Sequence, residues 1–285
     1  MAGLTFSHRP LIMGIINVTP DSFSGDGLLD HSDYVKAALA QASSMLEDGA
    51  DILDIGGESS RPGATPISVE EEIHRVVPVI EAIRTAHGQA PVIAVDTVKA
   101  SVAEAALEAG ANIINDISAL QRDPAMATLV AKKNCSIILM HNRSQPQQVE
   151  IDMRVGGQYS AAPYNDILED IKLDLLHAIK IAHNAGIPDE HIILDPGIGF
   201  GKNVQQNLAL IKFIGRVKEL GFPVLMGSSR KSFIGKVLNL PVDERLEGTA
   251  ATVALSAFLG ADIIRVHDVK FMTRVAKMAA AVRDQ

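Results

Sequence analysis

The chain has a single cysteine, no apolar run long enough to cross a bilayer, and no surplus of positive charge. One cysteine in 285 residues, Cys135, cannot form an intrachain disulfide, and the apolar stretch around it, read as a buried strand, does not favour a reactive thiolate. No segment approaches the roughly 20 consecutive apolar residues of a membrane helix. The net charge of -8 argues against a general nucleic-acid surface, which has to neutralise phosphates. No set of Cys and His has the ligand spacing of a zinc site. Met1 to Pro10 lacks the charged start and apolar stretch of a signal peptide, so a cytoplasmic location is expected.

What the chain does have is eight short apolar runs, each ending in a polar or ionisable residue. They are Leu11 to Asn17, Ala50 to Asp54, Pro91 to Asp96, Ala111 to Asn115, Cys135 to His141, His191 to Asp195, Pro223 to Ser228 and Ala261 to His267. Runs rich in Ile, Val and Leu without alternation fit strands buried on both faces, the pattern of a parallel sheet. Helical-length segments separate them, so the expected fold class is α/β, a (β/α)8 TIM barrel with its site at the C-terminal ends of the strands. Gly49-Ala50-Asp51-Ile52, Gly110-Ala111-Asn112-Ile113 and Gly260-Ala261-Asp262-Ile263 repeat the same joint, a glycine past a helix followed by β-branched residues. A barrel of this kind takes about 250 residues, so 285 suit one domain, residues 1–285 with a core of about 11–282.

The polar rim is where chemistry is expected. Asp96, Asn115 and Asp195 end the third, fourth and sixth runs and together offer a flat set of acceptors and donors suited to an amino-pyrimidinone edge. One such Asp could simply cap the next helix; three with Asn17 are harder to explain that way. Opposite in charge are Arg61, Lys231, Arg265 and His267. In Arg265-Val266-His267 the first and third side chains share a strand face. Ser228-Ser229-Arg230-Lys231-Ser232 leads into a helix, whose free N–H groups favour an anion. This local positive cluster would attract a diphosphate or carboxylate despite the acidic whole. Such a ligand suits Mg²⁺, which keeps waters and binds through few protein oxygens, one of them available on Asn17. Gly197-Ile198-Gly199-Phe200-Gly201-Lys202 reads as a tight strand-to-helix turn, not a nucleotide fingerprint. Thr19 to Gly27 and Ser59 to Ala64 look like lids, and Asn142 to Tyr164 is either a flap or a tolerated insertion.

These residues carry a resemblance that runs from Leu11 to about Asp268. Gly14-Ile15-Ile16-Asn17-Val18-Thr19-Pro20-Asp21-Ser22-Phe23-Ser24, Asp54-Ile55-Gly56-Gly57-Glu58-Ser59-Ser60-Arg61-Pro62-Gly63, Leu194-Asp195-Pro196-Gly197-Ile198-Gly199-Phe200-Gly201-Lys202, Ser229-Arg230-Lys231-Ser232 and Arg265-Val266-His267 resemble the dihydropteroate synthases, pterin-binding barrels inhibited by sulfonamides. The resemblance implies a transferase of folate biosynthesis that joins 7,8-dihydropterin-6-ylmethyl diphosphate to 4-aminobenzoate and releases diphosphate. It implies that Asp96, Asn115, Asp195 and Lys231 hold the pterin, with Arg265 against its face and Met140 on the other side. Asn17 would reach Mg²⁺, and Arg61, Arg265 and His267 the diphosphate. Phe23, Ser60, Arg61, Pro62, Phe200, Lys231 and Ser232 would shape the aminobenzoate pocket. A homodimer is implied too; the apolar segment Phe271 to Val282 suits a helix at an interface and ordinary barrel packing equally. The chain departs from the family pattern at Met140-His141-Asn142-Arg143-Ser144. Two alternatives remain at this level: a pterin-binding methyltransferase acting through a corrinoid protein, and a non-catalytic pterin-binding paralogue.

Overall fold

A computed structural model describes residues 4–6, 8–19, 33–145, 148–152 and 155–285. In chain order its elements are β1 (Leu11–Asn17), α1 (Tyr34–Glu47), β2 (Ile52–Gly56), α2 (Val69–His87), β3 (Val92–Asp96), α3 (Ala100–Glu108), β4 (Ile113–Asp116), α4 (Ala125–Lys133), β5 (Ser136–Met140), β6 (Val149–Asp152), β7 (Gly156–Tyr159) and α5 (Ile167–Asn184). There follow β8 (Ile192–Asp195), α6 (Val204–Lys212), α7 (Gly215–Lys218), β9 (Leu225–Met226), α8 (Ser232–Leu238), α9 (Leu246–Phe258), β10 (Ile263–Val266) and α10 (Val269–Arg283). Sequence chemistry sets several starts: Ser68 caps α2 ahead of Glu70, Glu71 and Glu72, and Asn203 with Gln206 forms a capping box on α6.

Eight strands lie parallel in the order β8-β5-β4-β3-β2-β1-β10-β9. The sheet closes on itself where Leu194 of β8 bridges Val224, its N–H donating to the Pro223 carbonyl at 2.9 Å. The result is the expected eight-stranded barrel. Its core has two layers. Ile12, Leu53, Val95, Ile114, Leu139, Leu194, Met226 and Ile264 face the helices. Leu11, Met13, Ile52, Ala94, Ile113, Ile138, Ile193, Leu225 and Ile263 fill the barrel interior, with Leu4 and Phe6 packed against them.

That inner layer fixes the parity of every strand. Side chains alternate faces along a strand, so the residues two further on also point inward. They are Ile15, Asp54, Asp96, Asn115, Met140, Asp195, Gly227 and Arg265, five of the eight polar, above a wholly apolar layer. By the same parity His141 and Ser228 point out, although both end apolar runs.

Several boundaries differ from the sequence reading. β2 continues to Gly56, which leaves Asp54 within the strand and fully buried. β9 has only two residues, because the chain leaves the ladder at Gly227. Cys135 lies one residue ahead of β5, buried, and burial pushes its thiol up to about 11. The segment from Asn142 to Tyr164 contains the antiparallel hairpin β6–β7, outside the barrel.

Candidate active site

Arg265 stands at the centre of the polar layer. Its Nε donates to Asp54 Oδ2 at 2.6 Å and its Nη2 to Asp96 Oδ2 at 2.8 Å, while Asn115 Nδ2 donates to the same Asp54 oxygen at 3.2 Å. One guanidinium thus clamps two carboxylates from neighbouring strands. Asp54 Oδ1 is buried with no hydrogen-bond partner. Burial lifts the Asp96 carboxyl to about 7; Arg265 opposes the rise and the charge of Asp54 adds to it. For Arg265, burial works against the charge, but Asp54 and Asp96 outweigh it and the guanidinium is held above its ordinary value. The carboxylate is therefore poised between its two protonation states near neutral pH, a setting common in catalytic groups.

Beside this clamp the turn after β8 is built on glycines. Gly199 has φ +86, and a Cβ there would lie 2.7 Å from Lys231 Cδ, so only glycine lets the lysine pass. Lys231 Nζ donates to the Ile198 carbonyl and sits 4.3 Å from the Phe200 ring centroid, within cation–π range. Burial draws its ammonium down to about 8, against the attraction of Asp195. Asp195 Oδ1 accepts the Gly197 N–H at 2.7 Å; burial raises this carboxyl, opposed by that bond and by Lys231.

Behind the same turn lies a polar cluster with no direct access to the cavity. Lys202 Nζ has three acceptors, Gly197 O at 2.8 Å, Phe200 O at 2.9 Å and His141 Nδ1 at 3.0 Å. His141 Nε2 meets Asp174 Oδ2 at 3.0 Å, and Arg143 Nε donates to the same oxygen at 2.7 Å. Burial, with Lys202 alongside, draws the imidazole down to about 3, so His141 is neutral. Burial also lowers Lys202 well below its ordinary value, yet three acceptors match the three donors of an ammonium. The cluster ties β5, the β8 turn and α5 together.

The loop after β2 carries Ser60, Arg61 and Pro62. Its base is held by Lys99 Nζ, which reaches Glu58 Oε2 and Glu72 Oε2 at 2.6 Å each and the Ile67 carbonyl at 2.8 Å. Across the mouth, His267 Nδ1 is 2.9 Å from Ser229 Oγ, which also accepts the His267 N–H at 3.2 Å. Arg230, at φ +56, turns the chain there and pairs with both oxygens of Asp268.

These elements enclose a cavity of about 380 Å³, within the usual range for small-molecule sites. Ten of the residues singled out from sequence line it: Asn17, Ser60, Arg61, Pro62, Asp96, Phe200, Lys231, Ser232, Arg265 and His267. Asn115, Asp195 and Met140 are buried at their strand ends and do not line the cavity as it stands. Phe23 lies outside the described residues. Sequence reasoning gave no role to Asp54, Ser229, Arg245, Lys202 or Tyr159. For Asp54 a signal existed: it ends the second apolar run, as Asp96 and Asn115 end the third and fourth. For Tyr159 none did.

Comparison with known proteins shows the family and the fold. Residues 13–267 match the family model described as pterin binding enzyme. The chain is 49% identical over 281 residues to the dihydropteroate synthase of Bacillus subtilis, covering 99% of this chain and 91% of that protein. Among solved structures, dihydropteroate synthase from Clostridium difficile in the presence of pteroic acid superposes with a TM-score of 0.86 at 40% identity, covering 99% of this chain and 100% of that one. The Yersinia pestis enzyme with a sulfonamide drug superposes with a TM-score of 0.89 at 40% identity, covering 99% and 98%.

Proposed function

This chain belongs to the pterin-binding enzyme family and is a transferase of the dihydropteroate synthase class, and we propose how its own residues divide the work. The reaction joins the methylene carbon of 7,8-dihydropterin-6-ylmethyl diphosphate to the amine of 4-aminobenzoate and releases diphosphate. The observation that supports this division is the Arg265 clamp: a cation and two carboxylates meet in one buried layer, beside a cavity that also holds Arg61, His267 and Ser232.

Asp96, Asn115, Asp195 and Lys231 hold the pterin edge, over Met140. Loss of diphosphate from the pterin's methylene carbon leaves a delocalised cation, which the Asp96 carboxylate stabilises. Arg265 uses two of its five N–H donors on Asp54 and Asp96, which leaves others for the leaving anion. Arg61 and His267, on opposite sides of the mouth, take further oxygens. Asp54 touches no substrate here; it aims Arg265. The aminobenzoate ring lies among Pro62, Phe200 and Lys231, with its carboxylate on the Ser232 hydroxyl. Because α8 has only seven residues, the hydroxyl rather than the helix dipole carries that contact.

Mg²⁺ is part of the proposal. Asn17 supplies one hard oxygen at the end of β1 in the cavity wall, and among the described residues no group of three or more His, Cys, Asp or Glu is placed to hold a metal ion. That donor set fits an ion carried largely by diphosphate oxygens and water. When bound it neutralises charge developing on the leaving group.

A homodimer and a cytoplasmic location complete the reading. Leu255 and Phe258 on α9 and Phe271 and Met278 on α10 are exposed on helices that pack together, an apolar surface suited to a second copy. No described helix is long and apolar enough to cross a membrane. The deciding experiment mixes protein, Mg²⁺, pterin diphosphate and 4-aminobenzoate and measures dihydropteroate and diphosphate together. Equal amounts of both are expected; diphosphate without dihydropteroate, or neither product, would refute the assignment.

A further inference from the structure

The hairpin β6–β7 is fastened across the mouth of the cavity at several separate points. The Tyr159 hydroxyl donates to the Ser60 carbonyl at 2.9 Å, on the loop after β2. Its ring stacks on Phe200, with centroids 6.1 Å apart and planes 25° from parallel. Gly157 lies against Pro62, close enough that a Cβ there would sit 3.5 Å from Pro62 Cβ. At the far end the Val155 carbonyl accepts Arg245 Nη2 at 2.8 Å, and Arg245, buried, also donates to the Arg230 carbonyl at 3.0 Å. Beyond β7, the Ala162 N–H donates to Gly201 O at 3.0 Å, fixing the hairpin's exit to the β8 turn.

Ser60, Pro62 and Phe200, each touched by this hairpin, are all residues that the aminobenzoate reading needs. Tyr159 and Gly157 also line the cavity themselves. A surface insertion needs no such contacts. We propose that the hairpin is a wall of the arylamine subsite and that Tyr159 is a specificity-determining residue, limiting the width of the aromatic amine beside Phe200. The inference rests on the placement of 4-aminobenzoate above and deepens it. Its physical basis is preorganisation: two anchored aromatic rings and a proline form a slot whose shape is set before the amine arrives. Tyr159 acts on the acceptor only, since the pterin residues lie on the barrel layer below.

The test compares 4-aminobenzoate with 4-amino-3-methylbenzoate and 4-amino-1-naphthoate, which keep the amine and carboxylate and add width. The wild-type protein should favour 4-aminobenzoate. In Tyr159→Ala the KM for 4-aminobenzoate should rise several-fold, up to about ten-fold, the effect of losing one stacked ring contact, and the preference over the wider amines should narrow by a similar factor. Values of kcat and of KM for pterin diphosphate should stay within about two-fold, since uniform binding of one substrate is what is removed. Tyr159→Phe keeps the ring and should keep the preference, with a modest rise in KM from the lost hydrogen bond. Should Tyr159→Ala fail to fold, Tyr159→Leu gives the same comparison. Unchanged selectivity in the Ala or Leu variant, or a parallel loss for both substrates, would overturn the proposal. No dihydropteroate from the wild-type protein would instead overturn the function on which it rests.

Discussion

The most demanding prediction concerns Asp54→Asn, which keeps the side-chain shape and removes a buried charge that never meets the cavity. Asp54 and Asp96 are held by the same guanidinium, at 2.6 and 2.8 Å, and the charge of Asp54 is one reason the Asp96 carboxyl stands near 7. At roughly 6 Å and an effective dielectric constant of about 20, the repulsion between two carboxylates is about 3 kcal/mol, an upper bound with Arg265 between them. A shift on the order of one pKa unit, worth about 1.4 kcal/mol, is the working expectation. The sign follows directly. Without Asp54, Asp96 loses a like charge and keeps its cation, so it ionises at lower pH. On the proposed role of the Asp96 carboxylate, kcat/KM for pterin diphosphate in the wild-type protein should rise as pH passes through about 7, and this limb reports the free enzyme. In Asp54→Asn the whole limb should move down by about one unit, so the variant loses less activity than the wild type at pH 5.5. A steady-state pH series on both proteins, with product measured by chromatography, decides it. A limb that stays put or moves upward would refute the coupling.

Other perturbations probe other parts of the site. Asp96→Asn should lower turnover by roughly 10²-fold or more, as for loss of one preorganised electrostatic group, and should erase the acidic limb; near-normal turnover would leave Asp96 as a pterin anchor only. Ser232→Ala should raise KM for 4-aminobenzoate by about ten-fold and narrow its advantage over aniline, whereas Arg265→Ala should depress both amines in parallel and weaken diphosphate binding by calorimetry. Loss of the carboxylate preference in Arg265→Ala alone would show that the two anion sites are exchanged. Lys202→Met strands the Gly197 and Phe200 carbonyls and should raise KM for 4-aminobenzoate along with lowering thermal stability; an unmoved KM would mean that the cluster only supports the fold. Lys99→Met leaves Glu58 and the buried Glu72 without their cation and should lower thermal stability. The loss is read as a Tm difference; an unmoved Tm would show that the pair does not hold the loop after β2.

The barrel was legible because its strands are buried on both faces: eight short, largely apolar runs between helical segments leave little choice of architecture. The rim was legible for the same reason, since Asp96, Asn115 and Asp195 interrupt those runs where a buried strand would otherwise continue. Family motifs then attached chemistry to Arg61, Lys231, Ser232 and the Arg265-Val266-His267 triplet. What the linear chain could not supply was facing. His141 and Ser228 also end apolar runs, yet one residue of offset turns them outward, and only the inner layer from Leu11 to Ile263 fixes that phase. The pairing of Asp54 with Arg265 spans 211 positions, so no local pattern could show that one guanidinium would join it to Asp96. The hairpin is the clearest case. Polar, glycine-containing residues from Asn142 to Tyr164 have no periodicity to distinguish a wall from an insertion, because what gives Tyr159 its place is contact with Phe200 and Ser60, residues brought to it by strands that close the barrel elsewhere. Strand identity is a property of local burial, and the sequence determined it alone; the site depends on which distant side chains share an interior, and only tertiary closure decides that.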